Sequence, residues 1–236
     1  MNNLVFFDTE TTGNTEKDFL CQIAYKNGAE TFTGLYKPPI KIPPEASAVH
    51  HITNKMVEDK KSFQDSGDQP KIKKLFENSI VVAHNALFDL MIIKKENIEP
   101  KQFICTLRVA RELDPEGKID KYNLQYLRYF LDIEIDATAH DALGDVLVLE
   151  QLFERLKNKL MTEGKLNEEE ATNKMIEISS HPSLLRKINF GKHNGKSLEE
   201  VARIDRGYLE WLLAQKEASD QIDEDWIYTL KHYLNK

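Results

Sequence analysis

The first half of this 236-residue chain carries its apolar residues in short runs separated by turn-forming residues. Residues 4–7 (LVFF) and 80–83 (IVVA) are apolar and rich in aromatic or β-branched side chains, which predicts two buried strands. Strand-like runs at about 20–25 and 30–36 are joined through Asn27-Gly28, which is typical of a hairpin turn. These runs predict an antiparallel meander followed by a further strand.

Helical patterns alternate with these strands. Apolar residues at helical spacing predict helices at 87–96, 106–113 and 122–130, and a long amphipathic helix from about residue 141. Residues 37–46 (KPPIKIPPEA) contain four prolines within seven residues, so a turn or extended loop is expected there. Together with the meander, this order favours an α/β fold with a mixed β-sheet flanked by helices.

The sequence predicts three consecutive parts. The α/β domain is expected to occupy residues 1–160, and the charged, helix-permitting stretch 161–180 is expected to form a connecting helix. Residues 181–236 are predicted to be a small C-terminal domain, either α/β or mainly helical. So short a segment has little core of its own, so we expect it to pack on the first domain or on a partner.

The composition argues against a membrane-embedded protein and against a disulfide-rich one. Hydrophobic residues make up 41% and charged residues 30%, and no apolar run approaches the roughly 20 residues of a membrane span. No export signal is evident, and Cys21 and Cys105 are too few for a disulfide framework, so a cytoplasmic location is expected. A net charge of −7 argues against bulk electrostatic coating of nucleic acid, but residues 181–198 contain no carboxylate and form a local basic stretch. The sequence does not indicate an oligomeric state.

Two carboxylates follow the first predicted strand. Asp8 and Glu10 stand two residues apart in FDTETTG, so both point to the same side of a strand. Neighbouring like charges raise each other's proton affinity unless a cation lies between them. The segment alone is compatible with a solvated strand end, and it is also compatible with a site for a hard divalent cation.

Further acids stand at the ends of other predicted elements. Asp89 in AHNALFDL and Asp145 in AHDALGDV each lie about one turn into a predicted helix, and His140 lies five residues before Asp145. With Asp8-Thr9-Glu10, these motifs resemble the DEDDh 3′→5′ exonucleases, the proofreading type with a ribonuclease H-like fold. The block PEASAVHHIT resembles the segment of that family that lies against the 3′-terminal nucleotide.

The resemblance implies a two-metal hydrolysis with Mg²⁺ or Mn²⁺. By analogy, Asp8 would bridge both ions, Glu10 and Asp145 would complete the shell of the first, and Asp89 would hold the second through water. His140 would be the general base, since a neutral imidazole can accept the proton of water near neutral pH. The implied substrates are DNA 3′ ends, single-stranded or frayed, with nucleoside 5′-monophosphates as products, and RNA stays possible.

The same resemblance implies which residues bind the substrate. Thr11, Glu45 and His50 match positions that contact the terminal nucleotide, and Phe88 is a candidate wedge against the last base. His84 is a further candidate contact to the substrate. Alternatively, Thr11 only shapes the turn, Phe88 belongs to the core, and His84 is an interior histidine whose hydrogen bonds are satisfied within the chain.

The C-terminal segment resembles that of exonuclease X-like proteins through IxFGKHNGKSLEEVA and GYLEWLL. Lys192 and Lys196, with His193, are candidate contacts to the substrate backbone, although a charge cluster is more often a solvated face. Tyr208 and Trp211 could stack on a base. Their apolar surroundings in YLEWLL favour a position in the core.

Two other functions fit part of these observations. A 3′→5′ exoribonuclease of the same fold would carry the same acids, because no residue settles the choice of sugar. A non-catalytic module that binds nucleic-acid 3′ ends would keep a metal site, but it would not need His140.

Overall fold

The computed structural model describes residues 3–135, 142–219 and 223–235. One five-stranded sheet is formed by β1 (Leu4–Thr11), β2 (Leu20–Asn27), β3 (Glu30–Leu35), β4 (Ile80–Ala83) and β5 (Gln102–Cys105). Its strand order is β3-β2-β1-β4-β5. β1, β2 and β3 pair antiparallel, whereas β4 pairs parallel to both β1 and β5. The predicted meander and mixed sheet are therefore confirmed.

The described residues form eleven α-helices and a short 3-10 helix at Gly191–His193. The helices are α1 (Pro44–His50), α2 (Asn54–Val57), α3 (Gln69–Glu77), α4 (Ala86–Lys95), α5 (Thr106–Glu112), α6 (Leu124–Phe130), α7 (Ala142–Gly164), α8 (Glu168–Ser179), α9 (Leu198–Ile204), α10 (Arg206–Glu217) and α11 (Glu224–Leu234). None of the helices in these described ranges combines the length and the apolar character needed to span a membrane.

Alternation along β1 divides the core between the two faces of the sheet. Phe6 packs edge-on against Phe153 of α7, with ring centroids 5.2 Å apart. Phe7 points to the other face and meets Phe76 of α3 at 4.9 Å. Burying each of these rings stabilises the fold by about 2 kcal/mol. The residues that follow keep this alternation, so Asp8 continues the α7 side and Thr9 the opposite side.

The C-terminal part is mainly helical. Buried side chains of α9, α10 and α11, including Leu209 and Leu230, pack together around Ile188. This part is held against the first by Arg108 of α5, which donates to the Ser179 carbonyl at 2.7 Å and pairs with Glu224 of α11. The expected packing on the first domain is therefore observed. The division at residues 160 and 180 stays a prediction, and α7 continues to Gly164.

Residues 37–46 were predicted to form a turn or loop, and this prediction was wrong from Pro44 onwards. Helix α1 begins at Pro44, because the fixed φ angle of proline suits the first helical position, where no N–H bond is needed. Strand β5 and helices α1, α2, α3 and α11 were not predicted. Helices α9 and α10 are separated by Asp205 alone, whose side chain caps α10 by accepting from the Tyr208 N–H.

Candidate active site

Three of the predicted acids converge where β1 meets α7. Asp8 and Glu10 of β1 are half-buried, and Asp145, in the first turn of α7, is buried. Carboxylate oxygens of these three residues lie within 4.8 Å of one another. Such an all-oxygen set of donors suits a hard divalent cation. The structure therefore brings together three of the four acids that the sequence motifs identified.

The fourth acid, Asp89, lies on the other side of β1. Its Oδ1 accepts hydrogen bonds from the Thr9 N–H at 3.1 Å and from the Thr9 hydroxyl at 2.6 Å. Strand β4 pairs with β1 only as far as Phe6, so this carboxylate satisfies a strand N–H beyond the sheet ladder. Burial raises the pKa of Asp89 well above its ordinary value, although the bonds from Thr9 oppose that effect.

Helix α6 supports the cluster through a residue that the sequence analysis did not identify. The Gln125 amide nitrogen donates to Asp145 Oδ1, which fixes the orientation of that carboxylate. Gln125 Oε1 is buried and has no hydrogen-bond partner among the described residues. No motif marks Gln125. Thr9, by contrast, stands between Asp8 and Glu10, and strand alternation alone places it towards α4.

His140 lies in the stretch 136–141, outside the described residues. The assignment of His140 as general base therefore stays a prediction.

His84 connects the end of β4 to the loop before α6. Its Nε2 donates to the Tyr122 carbonyl at 2.7 Å, so Nδ1 is unprotonated and accepts from the Thr106 hydroxyl at 2.9 Å. Burial lowers the pKa of His84 to about 4, against the opposing effect of the bond to Tyr122. Both ring nitrogens are engaged within the chain, as the alternative interpretation of a satisfied interior histidine expected.

Thr11 and His50 are joined at the end of β1. The Thr11 hydroxyl donates to the Gly13 carbonyl at 2.5 Å, and its own carbonyl accepts from His50 Nε2 at 3.1 Å. His50 Nδ1 accepts from the Ile52 N–H at 3.0 Å, and burial lowers the pKa of His50. A register shift in the β1–β2 pairing falls between Glu10 and Thr11. These contacts fix the turn that follows the two acids.

The two remaining candidates near the site differ in exposure. Glu45 is exposed in the first turn of α1. Phe88, one residue before Asp89, is half-buried and packs on the α4 side of the core. It also lines a cleft of about 1290 Å³ between the first part of the chain and the C-terminal part. Phe88 therefore combines the core role with a surface that a ligand can reach.

The predicted basic contacts of the C-terminal part are ion-paired. Lys192 lies 2.7 Å from Asp205 and over the Tyr208 ring, and Lys196 lies 3.3 Å from Glu200. Hydrogen bonds from Lys192 and from His193, which lies at 2.8 Å, lower the pKa of Asp205 to about 2. A phosphate at either lysine would have to compete with these carboxylates.

The expectation that Trp211 is a core residue was wrong. Its side chain is 54% exposed, because the 100° step of the helix turns it away from the buried Leu209 and Leu212. Tyr208 is half-buried and packs against the C-terminal core, with its ring 5.6 Å from that of Trp211.

Comparison with known proteins agrees with this geometry. Residues 5–153 match the family model described as Exonuclease, and residues 188–217 match the model described as Exodeoxyribonuclease X-like C-terminal. The chain is 34% identical over 202 residues to Exodeoxyribonuclease 10 of Escherichia coli strain K12, covering 85% of this chain and 83% of the relative.

Solved structures give the same result. Exonuclease X in complex with 5′ overhanging duplex DNA superimposes with a TM-score of 0.58 at 27% identity, covering 75% of this chain and 99% of the other. Escherichia coli exonuclease I in complex with a dT13 oligonucleotide gives a TM-score of 0.58 at 21% identity over 70% of this chain and 43% of the other, which supports the fold alone. The resemblance found in the sequence is confirmed: this chain belongs to the exonuclease family, with a C-terminal part like that of exonuclease X, and is a 3′→5′ exonuclease.

Proposed function

We propose that this exonuclease removes nucleotides from the 3′ ends of DNA by two-metal hydrolysis and releases nucleoside 5′-monophosphates. The observation that carries the proposal is the convergence of carboxylate oxygens of Asp8, Glu10 and Asp145 within 4.8 Å, while Asp89 is bonded to Thr9 on the other side of the same strand. The names of the similar proteins, Exodeoxyribonuclease 10 and a DNA-bound exonuclease X, support DNA as the substrate.

The three converging acids supply the oxygen ligands for one cation. Asp8, Glu10 and Asp145 would hold one Mg²⁺ or Mn²⁺ ion. By the family resemblance, Asp8 would also contact a second ion, which Asp89 would hold through water. When bound, the two ions neutralise the attacking and leaving oxygens of an in-line displacement. Gln125 keeps the Asp145 carboxylate in place, because its amide donates to Oδ1.

His140 would accept the proton of the attacking water. His140 precedes Asp145 by five residues in the sequence, and Asp145 lies in the first turn of α7. An imidazole with an ordinary pKa near 6.5 is largely neutral at pH 7 and can act as a base. Thr11, Glu45, His50, His84 and Phe88 would then position the terminal nucleotide, directly or by fixing the turns around it.

Product analysis tests the proposal. Single-stranded DNA and RNA of one sequence, labelled at the 3′ or the 5′ end, are incubated with Mg²⁺, with Mn²⁺ or with chelator. We expect metal-dependent release of mononucleotides from the 3′ end, and faster release from DNA. A faster rate on RNA would identify an exoribonuclease, and binding of 3′ ends without release under any metal would identify an end-binding module.

The general base needs a separate test. His140→Gln should lose most of the metal-saturated rate and the fall in rate on the acid side, whereas His181→Gln, at an exposed histidine, serves as the matched control. An unchanged pH profile in His140→Gln would refute the assignment.

A further inference from the structure

The cleft between the two parts of the chain has one wall from each part. The first wall contains the start of α4, with Asn85 and Phe88, and the loop at 117–123 that leads to α6. Residues 184–189 of the basic stretch form much of the second wall. The cleft therefore extends from the start of α4, where Phe88 directly precedes Asp89 in the sequence, to the C-terminal part.

The basic side chains in the cleft fall into two groups. Arg108, Arg111 and Lys216 are neutralised by Asp223, Glu224 and Asp225, which hold the C-terminal part in place. In contrast, Lys121, Arg186 and Lys187 have no carboxylate oxygen within 4.0 Å among the residues that the structure describes. Within the basic stretch 181–198, the cations without a carboxylate partner, Arg186 and Lys187, thus line the cleft, whereas Lys192 and Lys196 are already paired.

Close packing connects these cations to the catalytic end of the sheet. A Cβ atom added to Gly117 would lie 2.9 Å from the Arg186 Cβ, so the 117–123 loop and Arg186 are in direct contact. The same loop is tied to the end of β4 by the bond from His84 to the Tyr122 carbonyl. Arg186 is therefore held in a fixed position relative to the strand ends that carry the acids.

The rest of the lining suits a nucleic-acid backbone. Five asparagines line the cleft, and their amides can donate to phosphate and sugar oxygens. They are Asn14, Asn85, Asn123, Asn189 and Asn194. Phe88 and Tyr122, which are both half-buried, add aromatic surface between the polar groups. Cations and amides interleaved with aromatic rings are typical of single-strand binding, where both the backbone and the bases are contacted. The carboxylates of Glu16 and Asp120 also line the cleft, so its surface is not uniformly positive. The positive charge is concentrated around Lys121, Arg186 and Lys187.

We propose that this cleft binds the single strand leading to the 3′ end in the active site, with Lys121, Arg186 and Lys187 contacting its phosphates. The proposal deepens the proposed function and rests on it for the identity of the strand. It differs from the sequence prediction, which assigned phosphate contacts to Lys192 and Lys196.

Binding measured without catalysis tests this surface. Fluorescence anisotropy of a labelled oligo(dT) of about 20 nucleotides is recorded in chelator over a range of salt concentrations. Removing two phosphate contacts in Arg186→Gln/Lys187→Gln should weaken binding about tenfold and reduce the salt slope by about 1.4. Lys121→Gln, on the opposite wall, should reduce the slope by about 0.7.

A matched variant removes the same charge elsewhere. Lys71→Gln/Lys74→Gln eliminates two exposed lysines of α3, which does not line the cleft, and should leave the salt slope unchanged. In an activity assay, the cleft variants should lose more kcat/KM on the long strand than on a dinucleotide, because only the long strand reaches the cleft.

The outcomes separate the two proposals. An unchanged slope in the cleft variants, or equal losses on long and short substrates, would overturn the cleft assignment even if the wild-type chain cleaves DNA. If the cleft variants show a reduced slope but the wild-type chain releases no nucleotide, the cleft assignment is supported and the catalytic proposal is overturned. Tighter binding of an acidic peptide than of oligo(dT) would assign the cleft to a protein partner and overturn the strand assignment.

Discussion

Replacing His84 by glutamine should reduce the dependence of stability on pH. In the folded chain, His84 is neutral, donates to the Tyr122 carbonyl and accepts from the Thr106 hydroxyl. Burial lowers its pKa from 6.5 to about 4. Between these two values the unfolded chain binds a proton that the folded chain does not, so the free energy of unfolding falls as the pH falls through this window.

The magnitude follows from the size of the shift. The difference of 2.5 between the two pKa values corresponds to about 3 kcal/mol, which is the loss once the pH has reached 4. At pH 5 the same linkage gives a loss of about 2 kcal/mol, and above pH 7 it gives almost none. His84→Gln cannot titrate, so it should lack this loss while paying a pH-independent cost of about 1–3 kcal/mol for altered hydrogen bonds.

Denaturant unfolding in chelator at pH 7.5 and pH 5 measures the effect. Between these two conditions, the free energy of unfolding of the wild-type chain should fall by about 2 kcal/mol more than that of His84→Gln. The contributions of the acids that both chains share cancel in this difference. His181→Gln, which removes an exposed imidazole, should behave as the wild type does. Equal losses in the wild type and His84→Gln would refute the buried, neutral state of His84.

Three further variants test the cluster and the cleft. Asp8→Ala should abolish nucleotide release, yet its thermal midpoint in chelator should equal or exceed that of the wild type, because it relieves repulsion among three close carboxylates. Asp89→Asn should be more stable than the wild type in chelator at pH 7. Burial raises the pKa of Asp89, so the wild type loses stability as the pH rises from about 4 towards the raised pKa. Gly117→Ala should lose about 2 kcal/mol or more, because its φ of +64° disfavours a side chain and the added Cβ meets Arg186.

Two of these variants have a matched control. Asp59→Ala removes an exposed acid far along the chain from the cluster and should keep activity. Gly28→Ala introduces the same strain at φ +58° with no atom within 4 Å of the new Cβ, so its smaller loss isolates the contact of Gly117 with Arg186. Near-normal activity in Asp8→Ala would contradict its predicted role in catalysis. A stability of Asp89→Asn that equals that of the wild type at every pH would contradict the raised pKa of Asp89. Equal losses of stability in the two glycine variants would contradict the contact of Gly117 with Arg186.

The sheet could be predicted where sequence periodicity is strong. Strand β4 and helix α5 lie where the apolar patterns placed them, and Asn27-Gly28 forms the turn of the meander. Strand β5 was missed because QFIC has only two fully buried residues and forms a strand through pairing with β4. Its structure is imposed by the neighbouring strand, which a local pattern does not contain.

In the candidate site too, a local sequence pattern identifies some residues and does not contain the contacts of others. Motif spacing identified Asp8, Glu10 and Asp145, which the fold brings together, because each occupies a defined position in a strong strand or helix. Gln125 could not be found in this way, since its contact with Asp145 depends on how α6 packs against α7. Lys192 and Lys196 were chosen from a basic stretch, but their carboxylate partners on α9 and before α10 become visible only in three dimensions.

The arrangement of the acids also explains how cation binding and folding are coupled. Alternation along β1 places Asp8 and Glu10 on the α7 side, while the N–H of Thr9 holds Asp89 where burial disfavours its charge. In the absence of cations, the fold therefore bears both the repulsion within the cluster and the desolvation of Asp89. Divalent ions bound as proposed would relieve both effects, because they would compensate the clustered charge and favour ionised Asp89. Titration with Mn²⁺ should therefore raise the thermal midpoint of the wild type by more than that of Asp89→Asn, with release of protons near neutral pH. A chain whose midpoint does not respond to Mn²⁺ would show that the cluster is not a cation site.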